Sequence, residues 1–204
     1  MSKATQTDAM GSIQRGIKRT LDFVMSALGL ILLSPIFIII SVLMKFQGNG
    51  PIFFRQIRIG YKGKPFVILK FRTISKKTEK NTPQLIAKTS CKSSTPFEKF
   101  LREHHLDELP QLWNVLVGDM SLVGPRPERK YFIDKIMEHT DLYTVIYNMR
   151  PGLTSEATLY NGYTDTMEKM LKRLQMDISY FERRSLWLDF KIIIKTFVNI
   201  ISGN

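Results

Sequence analysis

The longest apolar segment of the chain lies near its N-terminus, where residues 23–44 include no charged side chain. A helix of that length would extend roughly 33 Å, which is enough to cross the hydrocarbon core of a bilayer. The segment is apolar on every side, whereas a helix on the surface of a soluble domain keeps one polar face. The pattern therefore predicts a membrane-associated helix in preference to a helix of a soluble core.

Ser34 and Pro35 interrupt this segment near its middle. Proline removes one backbone hydrogen bond and clashes with the carbonyl of Ile31, while the Ser34 hydroxyl can bond back toward Leu30 and stabilise a bend. Both ends of the segment carry basic flanks, namely Arg15, Lys18 and Arg19 before it and Lys45, Arg55 and Arg58 after it. Basic flanks favour the cytoplasmic side, so a re-entrant helix would place both ends of the segment on that side. A kinked helix that spans the membrane stays open as the alternative.

After the apolar segment the pattern changes to short strands and amphipathic helices. Residues 51–56 and 66–74 are predicted to form a hairpin, because a turn with two glycines separates them. Thr95 and Glu98 form a capping box that begins a helix. Spacings of three to four residues between apolar positions predict further helices over residues 130–149, 167–180 and 186–201. The apolar stripe of the last helix is typical of a core, with insertion at a membrane interface as the alternative.

Composition limits the kinds of partner expected for the chain but does not identify one. Thirty basic and eighteen acidic residues give a net charge of +12, which favours an anionic partner such as nucleic acid, an acidic membrane surface or a phosphorylated substrate. The single cysteine, Cys91, excludes an internal disulfide and a multi-cysteine metal site. We interpret His104, His105 and His139 as ordinary polar residues rather than as a zinc centre.

The candidate chemistry lies in the segment 102–129. Asp107 and Glu108 are adjacent there, with Arg102 before them and Arg126 and Arg129 after them. Arginine binds phosphate oxygens in bidentate fashion, and a carboxylate can attack phosphorus or hold a metal. The proline at position 110 predicts that both acids lie at a helix N-terminus, where the helix dipole favours an ionised carboxylate. Acidic residues also occur there simply as caps, but the arginines favour phosphoryl chemistry.

The segment L-D-E-L-P-Q-L-W-N-V-L-V-G-D-M-S-L-V-G-P-R-P at 106–127 closely resembles the signature of the bacterial sugar transferase family, the monotopic phosphoglycosyl transferases. Further matches are K-F-R-T at 70–73, R-P-G-L-T at 150–154 and W-L-D-F-K-I at 187–192. The resemblance covers almost the whole chain after Arg15. It implies an α+β, mostly helical monotopic membrane protein with a re-entrant helix broken at Ser34 and Pro35, a small β-hairpin and amphipathic interfacial helices.

The chain is expected to have three parts. Residues 1–14 are predicted to be a disordered tail, because the first twelve are small and polar with no hydrophobic period. The resemblance implies that residues 15–46 are the re-entrant helix and residues 47–204 a catalytic domain on the cytoplasmic face of the bacterial inner membrane. The expected partners are the lipid bilayer, a UDP-sugar donor and a polyprenyl phosphate acceptor, with no nucleic acid; a homodimer is left open. The segment Ser155, Glu156, Ala157 and Thr158 departs from the family pattern, which leaves the donor sugar undetermined.

By resemblance, a phosphosugar is transferred from the UDP-sugar to undecaprenyl phosphate, with UMP as the second product. Asp107 would be the nucleophile, Glu108 would assist it, and Mg²⁺ near Asp107 would neutralise the donor diphosphate. The resemblance implies five residues that hold phosphate or nucleotide groups: Lys70, Arg72, Arg102, Arg126 and Arg150. Two non-enzymatic alternatives are a basic, membrane-attached binding module and a catalytically silent scaffold of a polysaccharide assembly complex. Release of a nucleoside monophosphate would separate the enzyme from both.

Overall fold

The computed structural model describes residues 7–47, 50–73, 95–161, 164 and 166–202. The predicted loop over residues 75–95 lies outside these ranges except for Thr95. Eight helices and four short strands are described, in the order α1 (Ser12–Leu32), α2 (Ser34–Phe46), β1 (Phe53–Ile59), β2 (Pro65–Phe71), α3 (Pro96–Glu103), α4 (Gln111–Val117), β3 (Ser121–Val123), α5 (Lys130–Met137), β4 (Gly152–Thr154), α6 (Glu156–Asn161), α7 (Met167–Arg183) and α8 (Leu186–Ser202). The described chain is therefore mostly helical, as the sequence predicts.

The apolar N-terminal segment is broken where the sequence predicts. Helices α1 and α2 meet at Leu33 with a bend of 58°. Pro35 stands in the first turn of α2, and the Ser34 hydroxyl donates to the carbonyl of Ile31 at 2.7 Å, one residue later than expected. Among the described residues no single helix is long and apolar enough to cross a membrane, whereas the bent pair is, by length and composition alone.

The residues just before α1 differ from the predicted disordered tail. Helix α1 begins at Ser12, and Met10 is 1% exposed. Asp8 accepts hydrogen bonds from Arg15 at 2.8 Å and from Arg184 at 2.7 Å. The expectation fails for residues 8–14 because a short polar sequence can still be ordered by ion pairs to a distant helix end, which local sequence does not reveal.

Strands β1 and β2 form the predicted antiparallel hairpin, with Phe54 paired to Lys70. Their bounds differ from the prediction, since β1 runs to Ile59 and β2 begins at Pro65. Helix α4 is fixed to this hairpin by one side chain. The Asn114 amide accepts from the Leu69 backbone at 3.0 Å and donates to the Val67 carbonyl at 2.8 Å, so both of its ends bind β2.

A second, parallel pair joins β3 to β4 and brings two motifs of the sequence together. Gly124 and Gly152 face each other so closely that a Cβ atom on Gly152 would lie 2.2 Å from the backbone nitrogen of Gly124. A side chain at either position would separate the strands. The glycines of G-P-R-P and R-P-G-L-T are therefore explained by packing.

The C-terminal helices cover this layer and build the largest apolar core. Helix α5 ends at Met137, and residues Asp141–Asn148 form a separate 3₁₀ segment, so the single helix predicted over 130–149 is wrong. Thr140 has an extended backbone between the two and caps the 3₁₀ segment, because its side chain accepts the backbone hydrogen of Leu142. Buried apolar residues of the core include Ile133, Ile136, Tyr143, Leu174, Phe181 and Ile192.

A large apolar surface remains exposed on α1, α2 and α8. Apolar residues of these helices that are more than 60% exposed are Ile13, Ile31, Leu32, Ile38, Phe46, Trp187 and Phe197. Little of the stripe predicted on α8 is core: Ile193 packs partly buried against the core, while Phe190 and Ile194 are about half exposed. The buried apolar residue of this helix, Ile192, lies outside the predicted stripe. Soluble monomers rarely expose apolar surface on this scale, so the arrangement favours the interfacial alternative.

Candidate active site

Asp107 and Glu108 lie in a 3₁₀ turn, Leu106–Glu108, that connects α3 to α4. This acid turn replaces the predicted first helical turn, since α4 begins only at Gln111. His105 precedes the turn with φ +54°, a left-handed conformation that is uncommon outside glycine. The reversal at His105 ends the preceding helix and turns the two acids into the space between β2 and the Pro-Arg-Pro corner at Pro125, Arg126 and Pro127.

Glu108 is neutralised by two cations from separate elements. The Lys70 ammonium on β2 and the Arg126 guanidinium both bind its Oε1 oxygen, the latter at 3.4 Å. Burial alone would raise the pKa of Glu108, but the charges of Lys70 and Arg126 outweigh it and hold that pKa well below its usual range. Glu108 is therefore an anion at every physiological pH.

Asp107 lies in the opposite electrostatic environment although it is the next residue. It is 8% exposed, and among the described residues no side chain donates a hydrogen bond to it. Burial, and next the charge of Glu108, raise the pKa of Asp107 to about 6, against the opposing charges of Lys70 and Arg126. The predicted stabilisation of its anion at a helix N-terminus is therefore wrong, since α4 begins only at Gln111 and burial is the largest influence on this pKa.

A separate group of buried ion pairs lies next to Arg126. Glu128 binds Arg173 of α7 in a short ion pair and lies 3.6 Å from the guanidinium of Arg58 on β1. Arg58 also donates to the carbonyl of Pro127 at 2.9 Å, which fixes the Pro-Arg-Pro corner to the hairpin. Sequence analysis did not single out Glu128 or Arg173, because nothing in their local pattern marks them as buried partners.

Asp177 of α7 lies beside these ion pairs and is 6% exposed. Burial, opposed by Arg173 and supported by Glu128, raises its pKa to about 8, so this carboxyl group is mostly protonated at neutral pH. Asp177, Arg173, Glu128 and Arg126 line one small cavity beside the site. In the interior next to Arg126, the charge of Glu128 is thus compensated by Arg58 and Arg173.

Comparison with known proteins decides the family. The family model described as "Bacterial sugar transferase" matches residues 13–203. The chain belongs to the bacterial sugar transferase family. Of its relatives, the UDP-glucose:undecaprenyl-phosphate glucose-1-phosphate transferase of Klebsiella pneumoniae is 40% identical over 190 residues, covering 92% of this chain and 40% of that protein.

Other relatives in the bacterial sugar transferase family carry different names. The UDP-N-acetylgalactosamine-undecaprenyl-phosphate N-acetylgalactosaminephosphotransferase of Aeromonas hydrophila is 35% identical over 92% of this chain and 44% of its own length. The exopolysaccharide production protein ExoY of Rhizobium meliloti is 32% identical over 94% of this chain and 88% of its own length. The chain spans about two-fifths of the length of the first relatives it matches.

The residues predicted from the bacterial sugar transferase signature do not all meet at one point. Lys70, Asp107, Glu108 and Arg126 come together at the acid turn. Arg102 is carried by α3, and its carbonyl accepts the amide of His105 just before the turn.

The two other predicted cations lie elsewhere. Arg72 is buried with its guanidinium against Gly50, where α2 leads into β1. Arg150 donates through Nε to the Gly118 carbonyl at 2.9 Å and stacks over the Tyr61 ring at 5.1 Å. Arg150 therefore stands at the end of α4 that is remote from the acids.

The site fits Mg²⁺ only in part. Among the described residues no group of three or more acidic, histidine or cysteine side chains could hold a metal. Mg²⁺ commonly binds through one or two carboxylates together with substrate phosphates and water. Asp107 could supply one such carboxylate, while the Oε1 oxygen of Glu108 is already engaged by cations. The residues therefore fit a metal ion that arrives with a diphosphate substrate.

Proposed function

We propose that this chain transfers a phosphosugar from a UDP-sugar to undecaprenyl phosphate, as the first membrane step of glycoconjugate biosynthesis. The observation that carries the proposal is the division of labour in the acid turn. Glu108 is held as an anion by Lys70 and Arg126, while Asp107 is buried and has no side-chain partner among the described residues. The names of the relatives from Klebsiella pneumoniae and Aeromonas hydrophila support this reaction class.

The first step needs only the donor. A carboxylate oxygen of Asp107 attacks the phosphorus that carries the sugar, and the bond from this phosphorus to the bridging oxygen breaks. UMP leaves with that oxygen and its electron pair, and the phosphosugar remains on Asp107 as an acyl phosphate. A raised pKa makes the ionised carboxylate a stronger nucleophile than an ordinary aspartate, provided that it is deprotonated.

The second step returns the carboxylate. An oxygen of the lipid phosphate attacks the acyl phosphate, the phosphorus–Asp107 bond breaks, and polyprenyl diphosphate sugar is the product. Dividing the transfer in two means that the site never holds three phosphoryl groups at once, which their mutual repulsion would oppose. Lys70 and Arg126 face the space beside Asp107 and would bind the phosphate oxygens in both steps.

Mg²⁺ is proposed as the cofactor. Asp107 and the donor diphosphate would together hold the ion, and the ion would neutralise the diphosphate charge. Glu108 contributes by positioning Lys70 and Arg126 next to Asp107, since one oxygen of Glu108 binds both.

The location proposed for the reaction is the cytoplasmic face of the bacterial inner membrane. An acceptor with a lipid tail keeps its phosphate at headgroup level, so the acid turn must stand at that level as well. The bent pair of α1 and α2 and the exposed apolar residues of α8 support a monotopic attachment in which the chain enters and leaves the bilayer by one face.

A donor panel tests the proposed reaction. The detergent-purified protein is incubated with undecaprenyl phosphate, Mg²⁺ and each of several UDP-sugars, and UMP release is measured. We expect release with at least one donor and none with Asp107→Asn. A binding module or a silent scaffold would release no UMP with any donor. The panel also identifies the donor sugar, which the sequence leaves undetermined because residues 155–158 depart from the family pattern. In the structure the Ser155 hydroxyl accepts the Thr158 amide and caps α6.

A further inference from the structure

The C-terminal end of α4 is held by an arginine from α1. The two terminal nitrogens of Arg19 donate to the carbonyls of Val115 and Leu116 at 2.7 and 2.8 Å. These carbonyls belong to the last turn of a helix, where few backbone donors are in reach; the Gly118 amide also donates to the Val115 carbonyl at 3.2 Å. A cation at this end also complements the helix dipole. One side chain of α1 therefore satisfies the end of α4 in a bidentate manner.

Helix α1 lies against α4 along its length, so Arg19 is part of a continuous interface. A Cβ atom on Gly29 would lie 3.2 Å from a methyl group of Leu112, which shows how closely the two helices approach. The buried carboxylate of Asp22, one turn after Arg19, accepts the amide of Leu122 in β3 at 3.0 Å. The segment with the most exposed apolar surface is thus fixed directly to α4 and to the strand that follows it.

Helix α4 in turn determines where the acids and their cation lie. The acid turn leads straight into it, and the Leu112 amide donates to the Leu109 carbonyl at 3.0 Å across the junction. Asn114, in the middle of α4, binds the β2 backbone on either side of Ile68, next to the strand residue Lys70. A shift of α4 along its axis would move Asp107 and Lys70 relative to each other.

We propose that Arg19 is a positioning residue for this reaction. It acts through α4, touches no substrate, and couples the helix that enters the membrane to the geometry of the acid turn. The kinetic part of this inference rests on the proposed function, whereas the mechanical part concerns the attachment of α4 to α1. Lys18 is a matched neighbour, because it also carries a cation from α1 but binds Asp189 of α8 at 2.6 Å instead of α4.

The test compares Arg19→Met, Arg19→Lys and the control Lys18→Met in detergent-purified full-length protein. Hydrogen exchange of the backbone amides in residues 106–117 reports the attachment of α4 without requiring activity. The rate constant of UMP release in the donor half-reaction, measured separately from the KM for the donor, reports the geometry of the acid turn.

For Arg19→Met we expect exchange in residues 106–117 to accelerate by at least about tenfold. The half-reaction rate should fall by about tenfold to a hundredfold, with little change in the KM for the donor. Arg19→Lys, which keeps one of the two bonds, should be intermediate, and Lys18→Met should leave exchange in residues 106–117 and the half-reaction rate unchanged.

Two results would overturn the proposal. One is a folded Arg19→Met protein with wild-type exchange in residues 106–117 or with a wild-type half-reaction rate; the other is an equal effect of Lys18→Met on both readouts. If Arg19→Met does not fold, Arg19→Lys decides by the same criteria. If the wild type releases no UMP from any donor, the proposed function fails, and the exchange measurement still decides whether Arg19 holds α4.

Discussion

Asp107 and Glu108 are adjacent carboxyl groups whose pKa values are shifted in opposite directions by burial and by nearby charges. Each loses water on folding, which raises the pKa of a carboxyl group. Only Glu108 gains direct contact with Lys70 and Arg126, and those contacts reverse the effect. Asp107 keeps the cost of its charge, because its neighbour is an anion and no side chain of the described residues bonds to it. The residue proposed to react is thus the one that folding disfavours as an anion.

Replacing Asp107 with asparagine should therefore stabilise the fold while abolishing turnover. The raised pKa favours the protonated folded state, so this group lowers the unfolding free energy as pH rises from 3.8 to about 6. A shift of that size corresponds to as much as about 3 kcal/mol at pH 7. Thermal unfolding in detergent should give a higher melting temperature for Asp107→Asn at pH 7 and a smaller difference at pH 5. An equal or lower melting temperature at pH 7 would contradict the assigned environment.

Glu108→Gln is the matched variant and should change stability with the opposite sign. Removing the anion leaves Lys70 and Arg126 facing each other in a partly buried site, at a cost of about 3 kcal/mol. Because the pKa of Glu108 lies below its usual range, the stability that its anion contributes is present at neutral pH and is lost in strong acid. Unfolding at pH 7 under the same conditions measures this loss. Stabilisation by Glu108→Gln would show that the two cations do not depend on it.

At this scale the sequence could indicate candidate residues but not their protonation state. Residue type pointed to Asp107, Glu108 and Arg126, and the family resemblance added Lys70 and the role of each. The direction of each pKa shift depends on burial and on contacts between residues 18 to 38 positions apart. Arg150 illustrates the limit, because its position in a family motif gave no indication that it binds the end of α4.

Among the elements, local chemistry predicted the boundaries that have a local cause. The helix break at Ser34 and Pro35, the capping box at Thr95 and the hairpin are all present. The acid turn, the 3₁₀ segment Asp141–Asn148 and the parallel pairing of β3 with β4 were missed. Each of these depends on what packs against the segment, such as the close approach of Gly124 and Gly152, rather than on its own hydrophobic period.

Pro35→Ala tests the functional meaning of the helix break. The substitution restores a backbone hydrogen-bond donor and removes the clash with the preceding turn, so α1 and α2 should straighten and some molecules should span the bilayer. Single cysteines replacing Arg15 or Lys45, in a Cys91→Ser background, are labelled from each side of the membrane. With Pro35 present, both positions should react only from the cytoplasmic side. With Pro35→Ala, a fraction labelled at position 45 should react from outside.

Labelling of either end from outside in the protein that keeps Pro35 would contradict the re-entrant arrangement. Ser34→Ala is a suitable control, since it removes the hydroxyl bond to Ile31 but leaves the proline in place. It should keep both cysteines on the cytoplasmic side.

Considered as a whole, the molecule combines a basic site with an apolar surface on the elements that support it. The acceptor proposed for it has the same two properties, a phosphate and a hydrocarbon tail. Arg19 and Asp22 connect the two regions, because they bind α4 and β3 from α1, the helix that carries much of the apolar surface. Hydropathy predicted the apolar surface, and net charge predicted an anionic partner. Neither predicted the connection between the two regions, which depends on the packing of α1 on α4.

The covalent role of Asp107 is the central claim, and exchange of UMP tests it most directly. Labelled UMP is incubated with the protein, Mg²⁺ and the UDP-sugar that the donor panel identifies, in the absence of any lipid acceptor. If Asp107 forms an acyl phosphate, label should enter the UDP-sugar, and the intact mass of the protein quenched with donor alone should increase by one phosphosugar. Both signals should be lost in Asp107→Asn. Absence of exchange under conditions where complete turnover proceeds would contradict the account and favour direct attack by the lipid phosphate.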